Sequence, residues 1–98
     1  QEHHMPESPL LFPNYPNPFN SNTNITYYLA RSSIVSLSII DIAGTTVKRL
    51  THDKKPMGEH LINWDGKNKK GEMVTSGLYF YVLETKDISL KKKMILIK

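Results

Sequence analysis

The sequence predicts an all-β domain, an Ig-like antiparallel β-sandwich of about seven strands. Apolar residues recur with a period of two along most of the chain, as expected for strands that bury one face. Turn residues interrupt these stretches every 8–12 residues or so, the spacing that is typical of β-sandwiches. No stretch has the period of about 3.6 residues that marks an amphipathic helix.

The amino-terminal part precedes the regular pattern. Residues 1–9 are polar and are interpreted as a linker to a single domain, residues 10–98. His3 and His4 resemble the remnant of a purification tag, so we assign them no function. The next stretch, Leu10–Asn20, contains three prolines, and we expect it to be extended or turned with its rings and leucines across a core edge.

The strands follow in order. We predict strands at Asn24–Leu29, Ile34–Ile40, Thr45–Leu50, Glu59–Trp64, Met73–Val74, Gly77–Thr85 and Ile88–Ile97. Alternation places Val35, Leu37 and Ile39 inward and Ser36 and Ser38 outward. It also puts Ile25, Tyr27 and Leu29 on one face of their strand, and His60, Ile62 and Trp64 on one face of theirs. Turns are predicted at Asp41–Gly44, Pro56–Gly58, Asp65–Gly71 and Lys86–Asp87, with His52 in a loop. We expect Gly77 to permit a close approach between backbone segments.

Composition and charge exclude several kinds of function. The absence of cysteine excludes disulfides, thiolate metal sites and a cysteine nucleophile. No apolar run reaches the roughly 20 residues of a membrane span, so we expect no membrane insertion. The first residues lack the order of a signal peptide, so an export signal would lie upstream.

The formal net charge of +4 is concentrated near the carboxyl end. The last thirteen residues contain five lysines and one acid, whereas the rest of the chain is balanced. Nucleic acid is not the expected partner, because no groove-sized helix and no interleaved aromatic residues accompany the lysines.

No motif predicts catalysis. The sequence has no G-x-S-x-G elbow, no glycine-rich phosphate loop and no H-E-x-x-H, so we expect no enzyme activity and no cofactor. The loop Asp65–Glu72 superficially resembles a calcium loop. Its alternate positions are Lys67 and Lys69, whose charges would repel a cation, so a plain hairpin loop is expected and no metal site.

Four aromatic residues, Trp64, Tyr79, Phe80 and Tyr81, have two interpretations. Aromatic residues on neighbouring strands of a small sandwich usually form its core. They would form a sugar-binding platform instead if one set were exposed, since Tyr79 and Tyr81 share one face and Phe80 takes the other.

Four stretches together resemble a known family. They are YPNPFN (Tyr15–Asn20), DIAGTTV (Asp41–Val47), WDGKNKKGEMVTSGLYFYVL (Trp64–Leu83) and KKMILIK (Lys92–Lys98). In this order they resemble the type A C-terminal sorting domain of the type IX (Por) secretion system, and they are similar to the Ig-like domain of the flagellar hook-capping protein. The motif positions are Pro16, Asn17, Pro18, Asp41, Gly44, Val47, Gly77 and Tyr79. Thr45 stands where the family usually has a basic residue.

The resemblance implies a sorting function. Such domains carry a fused upstream cargo from the periplasm across the outer membrane through the type IX translocon. A sortase-like peptidase often then removes them and attaches the cargo at the cell surface; other cargo is secreted. Two alternatives stay open: an Ig-like assembly module of hook-cap type, and a carbohydrate-binding module of a secreted enzyme.

The proline motif and the terminal strand each have a structural and a functional interpretation. We expect Asn17 and Asn20 to cap turns and Phe19 to plug the sandwich, and we place cleavage upstream, in Gln1–Pro9. The lysines of the last strand either protect a sheet edge from aggregation or form a docking strand for a receptor. With the resemblance included, we favour docking through Lys91, Lys92, Lys93 and Lys98.

Overall fold

Seven strands in two antiparallel sheets form an Ig-like sandwich in the computed structural model, which describes residues 6–98. The strands are β1 (Leu10–Leu11), β2 (Thr23–Leu29), β3 (Ser33–Ile40), β4 (Thr46–Lys55), β5 (Gly58–Trp64), β6 (Gly77–Glu84) and β7 (Ser89–Leu96). One sheet has the order β1-β2-β5 and the other β4-β3-β6-β7. The predicted fold class is therefore confirmed. Residues 1–5, with His3 and His4, lie outside the described residues.

The seven strands are not all the predicted ones. Leu10–Leu11, predicted only as part of a proline-rich segment, pairs with β2 as a two-residue strand. Met73–Val74 forms no strand, so that prediction is wrong. Only a single bridge joins Met73 to Lys67, and the Val74 N–H donates to the Gly66 carbonyl at 3.0 Å. Met73 and Val74 instead belong to the loop that follows β5.

His52 lies in a strand and not in the predicted loop. β4 extends to Lys55 because β3 pairs with it along its whole length, and His52 faces Ser36 across the ladder. The Pro56–Gly58 turn then carries the chain from one sheet to the other, since β4 and β5 belong to different sheets.

The core lies between the sheets, on the faces that alternation predicted. The fully buried aliphatic residues of β2 and β3 are Ile25, Leu29, Val35, Leu37 and Ile39. Ser38 points to the outer face as predicted, yet it is only 9% exposed. Because β3 is a central strand, Arg49 of β4 and Val82 of β6 flank Ser38 on both sides.

Aromatic rings fill one end of the sandwich. Trp64 and Tyr81 are fully buried and Tyr79 is 6% exposed. The Trp64 ring meets Phe19 edge-on at 5.7 Å and Tyr79 at 5.6 Å, measured between centroids, and its Nε1 donates to the Lys67 carbonyl at 3.0 Å. These rings belong to the core. The hypothesis that they form a sugar platform is wrong.

The turn after β3 and the first residue of β6 both depend on particular residue types. The Asp41 Oδ1 accepts the N–H groups of Ala43 at 3.0 Å and Thr45 at 2.9 Å, and Gly44 follows the turn with φ 86°. The side chain of Thr45 is not needed for this turn, so the family's usual basic residue can be absent without loss of the fold. Gly77 has φ 153°, and no atom lies within 4 Å of a Cβ built there. Its conformation, not the expected close approach, requires glycine.

The loop after β5 is closed by its own hydrogen bonds, but it does not join two paired strands as the predicted hairpin loop would, because β5 and β6 belong to different sheets. The Asn68 Oδ1 accepts the N–H groups of Lys70 at 2.9 Å and Glu72 at 3.0 Å. In residues 6–98 no cluster of His, Cys, Asp and Glu is arranged to hold a metal ion. Over the same residues, no helix has the length and apolar character to cross a membrane.

Replacing Trp64 by alanine should lower the free energy of unfolding by about 3–5 kcal/mol, because a thin core cannot close around so large a cavity. Urea denaturation measures the loss. The matched control is Leu61→Ala on the same strand, where the side chain is 67% exposed and the cost should stay within about 0.5 kcal/mol. Equal midpoints for the two variants would contradict the described packing.

Candidate recognition surface

The lysines of β7 lie along the edge of the four-stranded sheet, but they do not share one face. β7 is the last strand of that sheet, and Lys91, Lys92 and Lys93 are all exposed. The buried residues of this strand are Met94 and Leu96, so alternation turns Lys92 toward the inner side and the other two lysines toward the outer side. The three charges therefore border the edge from both sides.

Each lysine has a different environment. Lys91 places its Nζ 5.0 Å from the centroid of the half-buried Phe80 ring, a cation–π contact on the outer face. Lys93 faces Phe80 directly across the ladder. Lys92 lines a small cavity of about 220 Å³ between β7 and β1. Lys98 lies two residues beyond the strand and is exposed.

The proline segment (Leu10–Asn20) is bonded to the end of β7. The Phe19 N–H donates to the Ile95 carbonyl at 3.0 Å, and the Ile97 N–H donates to the Phe19 carbonyl at 2.8 Å, which makes a parallel bridge beside Leu96. The Ile95 N–H also donates to the Asn17 Oδ1 at 3.0 Å. Asn17 therefore holds the last strand instead of capping a local turn. Phe19 is 1% exposed and plugs the sandwich, as predicted.

A second set of bonds fixes the prolines themselves. The Pro16 carbonyl accepts the Thr23 hydroxyl at 2.8 Å and the Asn14 amide at 3.2 Å. The peptide bonds before Pro16 and Pro18 are cis. We expected the Tyr15 ring to lie across the core edge, but Tyr15 is 78% exposed. Its main chain pairs with Asn24, and its ring takes no part in this pairing.

Tyr81 joins the proline segment to the centre of the larger sheet. Its hydroxyl donates to the Phe12 carbonyl at 2.7 Å. Burial raises the pKa of Tyr81 to about 12, and a backbone hydrogen bond at Asn14 offsets part of this shift. Burial also raises the pKa of Tyr27.

The outer edge of β7 is divided into an occupied and an open part. Ile95 and Ile97 direct their main-chain groups away from β6, toward the proline segment. Since every second residue of a strand points these groups to the same side, Lys91 and Lys93 present theirs along the same edge. Leu10 and Leu11, at the start of the proline segment, lie near the other end of β7, where together with Pro9 they line a cavity beside Leu90, Lys91 and Lys92.

Four motif positions meet elsewhere, around a second feature. Asp41, Val47, Gly77 and Tyr79 line a cleft of about 620 Å³ at the start of β6, which we name the motif cleft. Its other lining residues are Ile42, Thr46, Asn68, Lys69, Lys70, Glu72, Val74, Thr75, Ser76 and Leu78. Gly44 lies in the neighbouring turn, while Pro16, Asn17 and Pro18 belong to the β7 contact. The sequence reasoning missed this cleft, because its walls come from segments about thirty residues apart and no local pattern marks them.

The chain is similar to a known domain family and to solved structures. The family model described as the FlgD Ig-like domain matches residues 18–88. FlgD from P. aeruginosa is 25% identical with a TM-score of 0.63, and the match covers 76% of this chain and 61% of that one. No curated protein matches the sequence.

Two further structures share the fold. Dimeric latent PorU from Porphyromonas gingivalis has a TM-score of 0.73 at 22% identity, over 99% of this chain and 10% of that one. PorZ from the same organism, an essential surface component of its type-IX secretion system, has a TM-score of 0.64 at 21% identity, over 90% of this chain and 11% of that one. The chain thus spans about a tenth of these two proteins.

Replacing Asn17 by alanine should destabilise the protein by about 0.5–1.5 kcal/mol, since it removes the side-chain acceptor of the Ile95 N–H. Amide hydrogen exchange should show the largest loss of protection at Ile95. Asn63→Ala is the control, because the Asn63 side chain bonds to Asn22 and Asn24, away from β7. Unchanged protection at Ile95 in Asn17→Ala would disprove the contact.

Replacing Tyr81 by phenylalanine should change the pH dependence of stability. The folded pKa lies above the ordinary value of about 10, so the contribution of Tyr81 is full below pH 10 and is lost as pH rises toward 12. The Tyr81→Phe variant should therefore be less stable than the parent by about 1 kcal/mol at pH 8, through loss of the bond to Phe12. The difference should shrink toward pH 12 in urea unfolding. A difference that is constant with pH would contradict the raised pKa.

Proposed function

This chain belongs to the FlgD Ig-like domain family, and from that premise we propose that it is a C-terminal sorting domain of the type IX secretion system. In this role the domain directs an upstream cargo protein from the periplasm through the outer-membrane translocon. Cleavage by a sortase-like peptidase and attachment of the cargo at the cell surface then follow for anchored cargo, and release follows for secreted cargo.

One observation carries the proposal: over Lys91–Lys93 the lysine-bordered edge of β7 has no paired strand in residues 6–98, although β1 lies beside its start. Lys91 and Lys93 lie beside main-chain groups that face outward along this edge, with Lys92 on the other side of the same strand. Such an edge can accept a receptor strand through main-chain hydrogen bonds while the charges select acidic partners. The structural alternative, protection against aggregation, uses the same lysines, and the export experiment separates the two.

The comparisons support the proposal without reaching its detail. The matched family range ends at Ile88, before β7, so the lysine edge lies outside what this chain has in common with that family model. PorZ, a component of the type-IX secretion system, contains a region with this fold. The four sequence motifs add the resemblance to type A sorting domains.

In this proposal the domain performs no reaction and holds no cofactor. It acts as a recognised surface, and its partners are the translocon, the peptidase and the cargo fused ahead of Leu10. The two ends of the domain serve different purposes: the proline segment orients the cargo junction, and β7 faces the receptor. The cargo junction ahead of Leu10 lies beside the start of β7, near Leu90 and Lys91, whereas Asn17 and Phe19 bond to the end of that strand.

A second candidate function has its own observation. The family match and the 25% identity to FlgD from P. aeruginosa favour an Ig-like assembly module of hook-cap type. A hook-capping region upstream in the full gene, with self-assembly of the parent protein, would identify this function. A large enzyme or adhesin upstream would favour sorting. The carbohydrate-binding alternative loses its basis, since Trp64, Tyr79 and Tyr81 are buried.

Fusing residues 1–98 to a reporter with a Sec signal, in a bacterium with a type IX system, should bring the reporter to the cell surface or the medium. Fractionation and surface proteolysis measure the outcome. Replacing Lys91, Lys92 and Lys93 together by glutamine should leave a folded fusion in the periplasm. Lys98→Gln, made separately, tests the residue beyond the strand.

The matched control replaces three other exposed lysines, Lys54, Lys67 and Lys86, by glutamine and keeps the same net charge as the β7 variant. It should be exported like the parent. Equal export of both triple variants would show that recognition does not require Lys91, Lys92 and Lys93. An intact fusion that stays periplasmic, beside a native cargo that is exported, would refute the sorting function and leave the assembly module.

A further inference from the structure

The motif cleft has no role in the sorting proposal, and we propose that it binds an extended peptide segment of a separate protein. The segment has one apolar residue flanked by acidic residues. It adds to the free start of β6 as a short strand. This inference does not depend on export, and it stands on main-chain geometry, cavity shape and charge.

Main-chain direction gives the first argument. Ile95 and Ile97 direct their N–H and C=O groups away from β6, so Leu96 between them directs its groups toward β6, where it pairs with Gly77. The next residue of β6, Leu78, must then direct its own groups away from β7. These groups point into the motif cleft.

Because β3 ends early, no strand in residues 6–98 pairs with the side of β6 at Leu78 toward which these groups point. The last pair between β3 and β6 joins Ile40 to Phe80, and the chain then turns away through Asp41–Thr45. Leu78 is the next residue of β6 with the same orientation as Phe80. An extended peptide in the cleft would continue the line of β3 and exchange main-chain hydrogen bonds with Leu78.

The cleft has room for a side chain as well as a backbone. Its volume of about 620 Å³ falls within the range typical of ligand pockets, roughly 300–1,000 Å³. Val47 and Val74, both partly buried against the core, form an apolar floor, and Leu78 is 37% exposed at its side. Such a floor accepts one aliphatic side chain of the peptide.

Charge selects the flanking residues. Lys69 and Lys70 are exposed at the rim, and the Lys69 N–H donates to the Val47 carbonyl at 3.2 Å, which fixes the loop beside the cleft. Two carboxylates also line the cleft and keep their charge, but both are directed at donors of their own loops: Asp41 accepts two backbone N–H groups of its turn, and Glu72 accepts the Asn68 amide at 3.3 Å. The ammonium groups of Lys69 and Lys70 are therefore the charges that can pair with acidic residues of the peptide.

The test titrates the 98-residue chain with a blocked five-residue peptide that has valine at its centre and glutamate on both sides. Heteronuclear NMR should show saturable shifts at the amides of Thr46, Gly77 and Leu78, with a Kd below about 1 mM. Hydrogen exchange of the Leu78 amide should slow on binding. A peptide with lysine in place of glutamate, and one with proline in place of valine, should bind more weakly.

Two double variants separate the rim charges from general charge effects. Lys69→Gln with Lys70→Gln should weaken the acidic peptide about fivefold, as expected for two exposed ion pairs. Lys54→Gln with Lys86→Gln, which line a separate cavity away from the cleft, removes the same charge and should leave Kd unchanged. Circular dichroism checks that all variants fold.

The inference is overturned by an absence of saturable shifts, by shifts centred on β7, by equal binding of the proline peptide, or by equal loss in both double variants. Sedimentation of the chain without peptide tests whether a second copy of this chain occupies the cleft instead. A dimer that Lys69→Gln with Lys70→Gln dissociates would assign the cleft to a second copy of this chain and overturn the separate partner.

Discussion

The bridge between Phe19 and the end of β7 is the contact on which the rest of the structure depends. It joins two stretches more than seventy residues apart and belongs to neither main ladder. The Phe19 ring packs on Trp64, and Trp64 packs on Tyr79. Phe19 thus bonds to β7 through its main chain and contacts the aromatic core through its side chain. Without it, one end of a thin core would be open to water, and a sandwich of this size has little other apolar surface to replace it.

Local patterns predicted most of the fold. The inward residues of β2 and β3, the Asp41–Gly44 turn and the hairpin at Lys86–Asp87 follow from alternation and turn chemistry over a few residues. The errors have a common physical origin in pairing with distant segments. His52 joins a strand because β3 extends beside it, and Asn17 bonds to Ile95 instead of its own turn. No short window of sequence contains these partners.

The two candidate sites also differ in whether local sequence patterns or pairing with distant segments determine them. The sequence located the lysines of β7, because charge is visible residue by residue, but it did not show that they border the strand edge from both sides. The motif cleft was not predicted at all. Its polar groups come from main chain whose direction depends on the register of β6 with β7 and on where β3 ends. The Asp41–Gly44 turn indicates where β3 ends, but no side chain indicates the register of β6 with β7, which sets the direction of the Leu78 main-chain groups.

The motif residues are therefore better explained by two contacts than by one signal. Pro16, Asn17 and Pro18 shape the segment that occupies the last part of the β7 edge, and in doing so they limit the open part to the lysines. Asp41 and Gly44 end β3 early, and this leaves Leu78 without a neighbour on that side among residues 6–98. At β7 a bonded segment occupies part of a sheet edge, and after β3 a turn ends a strand; in both places the main chain just beyond becomes available to a partner. The stability of the sandwich and its capacity for recognition thus depend on the same few residues, so a substitution in either motif has to be tested for folding before it is interpreted as a loss of binding.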